Sequence, residues 1–209
     1  MPRSPSIEKH FGDVPPWRSD PFLSMELFRL GTHPVLLSMR RLVESITPEI
    51  PYAIAGGLAV QVHGVERPTD NVDILLRAES LTTVRELLLQ ANFINVPNKS
   101  RRFIDGTDQI LLRIVLAGHY PGISGPKPIA FPDPLKAREA IGGVYYLKLR
   151  SLLELKLVSV RFQDLADAVA LARANNLDGA FARCLDPSCR AEFHRCLEEI
   201  RGDEAFNND

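Results

Sequence analysis

The sequence lacks the features of disulfide-rich secreted proteins and of membrane-spanning proteins. Its 209 residues contain only three cysteines, too few and too clustered for a disulfide framework, so we expect reduced thiols. No apolar run approaches the roughly 18 residues that a transmembrane helix needs. The polar, proline-rich amino end contains no apolar signal core. We therefore expect a cytoplasmic protein without a membrane partner.

The chain also lacks a strong excess of either charge. Lys and Arg number 25 against 26 Asp and Glu, which gives a net charge of -1. A chain this neutral has no strong bulk attraction for nucleic acid, so any binding of anions must come from a local patch. The hydrophobic fraction of 45% and the charged fraction of 24% are those of an ordinary globular protein.

Length and composition predict one core with small appendages. We expect Trp17 and Phe22 to hold the end of the N-terminal arm against the body. The predicted divisions are a mobile N-terminal arm (1–20), an α/β core (21–147), a C-terminal helical segment packed on that core (148–201) and a frayed tail (202–209).

Apolar periodicity predicts helices alternating with strands. Helices are predicted at 35–46, 58–64, 81–91 (capped by Ser80), 149–160 and 162–174, with two shorter ones to about Ile200. Strands are predicted at 52–55, 71–77, 93–96, 102–104, 109–117, 129–131 and 144–147. The helix between the first two strands has barely two turns, whereas a parallel crossover usually needs a dozen or more residues. These features favour an α+β fold, with a mixed β-sheet and helices banked on one side of it.

One stretch, residues 53–76, combines features that bind phosphate and metal. Gly56 and Gly57 separate a strand from a helix. Glycine lets the backbone approach an anion, and the first amides of a helix point outward. The next strand places Asn71 and Asp73 toward the same space. A carboxylate there is what a divalent ion bridging nucleotide phosphates requires.

This stretch resembles the nucleotidyltransferase superfamily, whose fold is shared by polymerase-beta-like enzymes and by minimal and abortive-infection-type bacterial transferases. The family pattern is Gly-Gly or Gly-Ser, a helix and then two acidic residues one apart on a strand. A later helical segment carries Lys, Arg and two Asp. The matching residues here are Gly56-Gly57, His63-Gly64, Arg67-Pro68-Thr69, Asn71-Val72-Asp73, and Lys156, Arg161, Asp164 and Asp167 within 155–171.

The resemblance implies a nucleotidyltransferase core that binds ATP or another NTP. It implies nucleotide contacts from Gly56, Gly57, Arg67, Thr69 and Lys156. It also implies a metal site made of a carboxylate pair, here Asn71 and Asp73, and a third carboxylate on a later neighbouring strand. Counting back from Gly118, the third position is Arg113.

The candidate catalytic residues are therefore Asp73, Asn71 and Arg113, and their charges sum to about zero. At an effective dielectric near 20, a Mg²⁺ roughly 4 Å from an arginine would feel about 8 kcal/mol of repulsion. Asp73 alone would only about cancel it, so the sequence disfavours Mg²⁺ and leaves Asp73 as a weak metal ligand. We predict a cross-strand ion pair between Asp73 and Arg113.

Three functions remain open at this point. The first is a catalytically impaired module, a pseudoenzyme, that binds a nucleotide or a protein partner in a bacterial toxin–antitoxin-like setting. The second is an active Mg²⁺-dependent transferase that moves NMP from an NTP to a protein or RNA, with Asp70, Asp105 or Asp108 rescuing the metal site. The third is a structural partner protein without a ligand.

Several motifs also have a purely structural interpretation. His63 is expected to pack or cap a helix end, Thr69 to brace a bend, and Arg161 to pair with Asp164 at i,i+3. The spacing C-x4-C-x4-H-x-C predicts buried thiols rather than zinc. It comprises Cys184, Cys189, His194 and Cys196. Arg40-Arg41 and Arg101-Arg102 are expected at the surface, with Arg101-Arg102 and Lys99 able to flank the cleft.

Overall fold

One mixed sheet of seven strands organises the protein. The computed structural model describes residues 15–46, 48–122, 127–159 and 161–207, so most of the predicted arm and the last two residues lie outside the described part. The strand order is β3-β4-β5-β2-β1-β7-β6. The strands are β1 Tyr52–Ala55, β2 Asn71–Leu76, β3 Phe93–Asn95, β4 Arg102–Asp105, β5 Leu111–Leu116, β6 Arg138–Ile141 and β7 Val144–Leu147.

The first two strands are antiparallel, and a short helix lies between them. Ala55 lies opposite Asp73 in their register. β2 and β5 then pair in parallel, with Asp73 beside Arg113. The sheet is therefore mixed, which confirms the predicted α+β class and brings the Gly-Gly turn, the acidic strand and the later strand together as the resemblance implies.

The five longer predicted helices are present, whereas the helices at Pro16–Ser19, Pro21–Arg29 and Pro134–Ala137 were not predicted. The bounds of the helices are α1 Pro16–Ser19, α2 Pro21–Arg29, α3 Pro34–Ser45, α4 Gly56–Val62, α5 Leu81–Gln90, α6 Pro134–Ala137, α7 Leu149–Ser159, α8 Phe162–Ala174 and α9 Arg190–Asn207. His33 caps α3, because its ring nitrogen accepts a hydrogen bond from the Val35 N–H. Ser80 lies at the N-cap of α5 but makes no side-chain capping bond, so its predicted role is wrong. A 3₁₀ turn at Ala78–Ser80 already leads into that helix.

Helices lie on both faces of the sheet, although the sequence predicts them on one. The hydroxyl of Tyr146 contacts Met39 of α3 at 3.4 Å, so α3 covers the face that carries Tyr146 and its register partner Ile54. The opposite face carries Asp73 and Arg113, which line a cleft together with residues of α7. The candidate site therefore lies on the side of the sheet that faces α7.

Other segments also differ from the predicted elements. β6 lies in a stretch without a predicted strand and forms a hairpin with β7. Residues 129–131 form no strand, although Phe131 exchanges backbone hydrogen bonds with Gly118 and His119. The last helix continues to Asn207 instead of ending near Ile200. The boundaries between arm, core, helical segment and tail stay a prediction.

Trp17 packs against His33 in a T-shaped arrangement, with ring centroids 4.8 Å apart, which confirms its predicted anchoring role. The side chain of Phe22 lies outside the described part of the chain. Among the helices that the structure describes, none is both long and apolar enough to cross a bilayer.

Candidate functional site

The predicted ion pair between Asp73 and Arg113 is present. Arg113 donates from Nε to Oδ1 of Asp73 at 2.5 Å and from Nη2 to Oδ2 at 2.6 Å. The parallel register of β2 and β5 causes this contact because it places the two residues side by side. Hydrogen bonding to Asp73 raises the pKa of Arg113, to which the charges of Asp73, Asp70 and Asp164 add. The pair is bidentate, a strong form of charge-assisted contact.

The Gly-Gly turn makes room for this carboxylate. Gly56 has φ +61, and a Cβ there would lie under 3.0 Å from the Asp73 carboxylate. A Cβ on Gly57 would collide in the same way with the Thr69 hydroxyl. Both positions therefore need glycine, Gly56 for its backbone conformation as well as for space.

A buried network of charged residues from α7 and the start of α8 lies next to the Asp73–Arg113 pair. Lys156, only 8% exposed, donates to Asp164 and to Asp167 at 2.6 Å each. Asp164 also accepts from Arg161 at 2.6 Å, which confirms the predicted i,i+3 pair, and from Ser159. Burial raises the pKa of Asp164, but the charge and hydrogen bond of Lys156 and the bonds from Ser159 and Arg161 outweigh it, so this pKa lies below its usual range.

Arg67 and Thr69 brace the bend before β2. Arg67 Nε lies 2.8 Å from Oδ1 of Asp167, so this arginine extends the network across a separation of 100 residues. The Thr69 hydroxyl makes a long contact of 3.5 Å with the Asn71 carbonyl.

The Asn71 side-chain amide nitrogen is buried and has no hydrogen-bond partner among the described residues.

These residues line a cleft with two lobes. The first, the polar lobe, has a volume of about 490 Å³, and all eight predicted site residues line it: Gly56, Gly57, Arg67, Thr69, Asn71, Asp73, Arg113 and Lys156. The second, the apolar-floored lobe, has a volume of about 350 Å³. Asp73, Arg113, Lys156 and Arg161 border both lobes, so the ion pair and the buried network lie between them.

The cleft is cationic, although the chain as a whole is close to neutral. The lining includes three Asp, namely Asp70, Asp73 and Asp164. It includes seven basic residues, namely Arg18, Arg67, Arg101, Arg102, Arg113, Lys156 and Arg161. This excess of positive charge is the local patch that anion binding requires in a chain of net charge -1.

The residues of the cleft do not fit a divalent metal. Asn71 offers a neutral amide, and Arg113 occupies both oxygens of Asp73. Arg41 binds Asp105 at 2.7 Å and also binds Asp108, which removes both from the site. The described residues contain no group of three or more His, Cys, Asp or Glu placed to hold a metal ion.

Asp70 is the remaining candidate for rescuing the metal site. It is exposed just before β2 and lines the polar lobe, where it adds a second carboxylate near Arg113.

Other flagged residues have structural roles. His63 Nε2 lies 2.7 Å from the Leu147 carbonyl, which confirms its predicted packing role. Arg41 is half-buried in its ion pairs, so the prediction of an ordinary surface charge is wrong for it. Cys189 and Cys196 are buried as predicted, and burial raises the pKa of each thiol to about 11. Cys184 is exposed, contrary to the prediction.

Several lining residues were not identified from the sequence. Trp17 and Arg18 of α1 form part of the wall of the polar lobe, and His119 and Tyr120 line the other lobe. No spacing rule links these segments to the Gly-Gly turn, because only the tertiary fold brings them together. Arg101 and Arg102 line the cleft as predicted, whereas Lys99 is not among its lining residues.

Comparison with solved structures finds several similar folds at low sequence identity. A crystal structure of ANT(2″)-Ia in complex with adenylyl-2″-tobramycin is 14% identical with a TM-score of 0.48, covering 76% of this chain and 96% of that one. A solution structure of the antibiotic-resistance factor ANT(2″)-Ia is 13% identical with a TM-score of 0.48, covering 90% and 100%. JHP933 from Helicobacter pylori is 12% identical with a TM-score of 0.41, covering 81% and 93%. No protein family and no curated protein matches the sequence. At these identities the likeness is one of fold alone.

Proposed function

We propose that this protein binds a nucleotide, ATP or another NTP, in the polar lobe and holds its phosphates with arginine and lysine side chains instead of a metal ion. The observation that carries the proposal is the bidentate bond of Arg113 to Asp73 within a lobe lined by five basic residues, namely Arg18, Arg67, Arg113, Lys156 and Arg161. A guanidinium fixed at this point supplies the positive charge that a divalent ion would otherwise bring to the phosphates.

The cations of the polar lobe keep capacity for phosphate oxygens. A guanidinium has five N–H donors, and Arg113 uses two of them on Asp73 while its side chain stays 40% exposed. Arg161 is 52% exposed beside its partner Asp164. Lys156 has three donors, two of which reach carboxylates. The lobe therefore combines fixed positive charges with free donors, which is what binding of a polyphosphate requires.

Within this proposal, metal-dependent transfer of NMP is impaired. Asn71 and Arg113 leave Asp73 as the single carboxylate at the three positions that the resemblance assigns to metal. The protein would then act in the cytoplasm as a nucleotide-binding or protein-binding module, in a bacterial toxin–antitoxin-like setting. The alternative, an active Mg²⁺-dependent transferase acting on a protein or RNA, would depend on Asp70, which is exposed beside the lobe.

Thermal unfolding with ATP in the presence of EDTA tests the proposal. We expect ATP to raise the melting temperature of the wild type without metal. Arg161→Gln should weaken ATP binding about tenfold, since it removes a charge-assisted contact. Arg173→Gln is the matched control, because Arg173 is similarly exposed but pairs with Asp203. No stabilisation by ATP, or equal affinity in wild type and Arg161→Gln, would contradict the proposal.

A further inference from the structure

The apolar-floored lobe carries an uncompensated positive charge at its mouth. Arg102 of β4 lies directly opposite Arg113 of β5, and residues directly opposite in an antiparallel pair share a face. Like charges in this position destabilise a sheet. Arg113 is compensated by Asp73, whereas Arg102 forms no ion pair with any carboxylate in the described part of the chain.

A second free guanidinium lies beside it. Arg101 is exposed, and its Nη1 lies 3.3 Å from Nδ1 of His119, which carries no negative charge to offset that of the guanidinium. Like Arg102, it has no carboxylate partner within the described ranges. The mouth of the lobe therefore presents two adjacent guanidiniums whose charge no residue described here balances, and an anion from solution would relieve their repulsion.

Apolar residues make up part of the lining of the same lobe, and we refer to them as its floor. They come from β5, the segment after it and α7, with the exposed Tyr120 beside them: Val115, Leu116, Phe131, Leu152 and Leu155. A volume of about 350 Å³ lies at the small end of the range for sites that bind small molecules. A ligand that complements this lobe would place an anionic group against the two guanidiniums and an apolar body against the apolar residues.

We infer that the apolar-floored lobe binds a second ligand, a small organic anion with an apolar or aromatic body, next to the nucleotide. The inference rests on the proposed function, which places the nucleotide in the polar lobe. It assigns the second ligand the opposite charge to that of Arg101 and Arg102, so a polycationic molecule is excluded as its occupant. A phosphate monoester and a carboxylate share the required chemistry, since both accept bonds from a guanidinium fork.

Calorimetric titration of the full chain with 1-naphthyl phosphate tests this inference. 1-Naphthoate distinguishes a phosphate from a carboxylate, and neutral 1-naphthol and cationic 1-naphthylmethylamine have the same apolar body. We expect 1-naphthyl phosphate or 1-naphthoate to bind at least about tenfold more tightly than 1-naphthol, the cation to bind least, and saturating ATP to leave this binding in place.

Variants locate the binding and separate it from the nucleotide site. Arg102→Gln should weaken binding of the naphthyl anions about tenfold and leave the affinity for ATP within about twofold. Lys99→Gln, an exposed cation close in sequence that does not line the lobe, should change neither. Equal binding of 1-naphthol, no effect of Arg102→Gln, or displacement of the anion by ATP would overturn the inference. Binding of the anion without any binding of ATP would overturn the proposed function and support the second site.

Discussion

Arg113 donates to both carboxylate oxygens of Asp73, from Nε at 2.5 Å and from Nη2 at 2.6 Å. The two partners differ in exposure, since the side chain of Asp73 is 9% exposed and that of Arg113 is 40% exposed. Removing Arg113 and removing Asp73 should therefore lower the free energy of unfolding by different amounts. A carboxylate that is nearly buried suffers more from the loss of its partner than a guanidinium that water can reach.

The first prediction concerns this asymmetry. Arg113→Met should lower the free energy of unfolding by about 2–3 kcal/mol, because it leaves the Asp73 carboxylate buried and unpaired. Asp73→Asn should cost about 1 kcal/mol, because the exposed side of Arg113 can be solvated. Urea denaturation of both variants and of the double variant measures the two costs and the coupling. A larger cost for Asp73→Asn than for Arg113→Met would contradict the account.

The second prediction concerns the close approach of Gly56 to Asp73. Gly56→Ala adds a methyl group that overlaps the carboxylate and must also adopt φ +61. Gly142→Ala is the matched control, since Gly142 has φ +57 and nothing within 4 Å of its added Cβ. Gly142→Ala should lower the free energy of unfolding by about 1–2 kcal/mol, from backbone strain alone. Gly56→Ala should cost clearly more and should weaken ATP binding, and equal costs for the two variants would argue against the close packing.

The third prediction concerns the pH dependence of stability. His33 is fully buried, and burial lowers its pKa from 6.5 to about 4. Between these values the unfolded chain binds a proton that the folded chain does not, so stability falls as the pH falls from about 6.5 toward 4. The full shift in the pKa of His33 corresponds to a loss of roughly 3 kcal/mol in the free energy of unfolding.

His33→Asn provides the control for this pH dependence. Asparagine retains the ability to cap α3, where His33 accepts from the Val35 N–H, but it does not titrate. The variant should show a flatter loss of stability between pH 6.5 and 4 in denaturation at several pH values. The same slope in both proteins would show that His33 is not the titrating group.

The fold and the central pair were predictable because they depend on local patterns. The strand at 71–77 followed from its alternation, and the short helix between β1 and β2 favoured a mixed sheet over a parallel one. The position of Arg113 beside Asp73 followed from the family resemblance, which implies a third carboxylate on a later neighbouring strand, and from counting back from Gly118 along that strand. The elements themselves needed only the spacing of residues along the chain.

The buried network and the walls of the cleft were beyond such patterns. Arg67 meets Asp167 across 100 residues, and Arg41 meets Asp105 across 64. Tertiary packing brings such distant partners together, so the spacing of residues along the chain does not predict them. β6 was also missed, because its four residues carry no clear strand pattern and pair with β7 in a hairpin.

The fourth prediction restores the missing carboxylates. Asn71→Asp with Arg113→Asp removes the guanidinium from Asp73 and places three carboxylates at the positions that the resemblance assigns to metal. The double variant should bind Mg²⁺ in a calorimetric titration, whereas the wild type should not. Binding of Mg²⁺ by the wild type that is lost in Asp73→Ala would show that the natural site already holds metal.

The central claim is that fixed cations take the role of metal in this cleft, and the affinity for ATP measured by calorimetry in EDTA and in excess Mg²⁺ tests it most directly. We predict binding in EDTA that Mg²⁺ leaves unchanged or weakens, because Mg²⁺ competes with Arg113, Lys156 and Arg161 for the phosphates. Binding that appears only with Mg²⁺ and disappears in Asp73→Ala would contradict the claim.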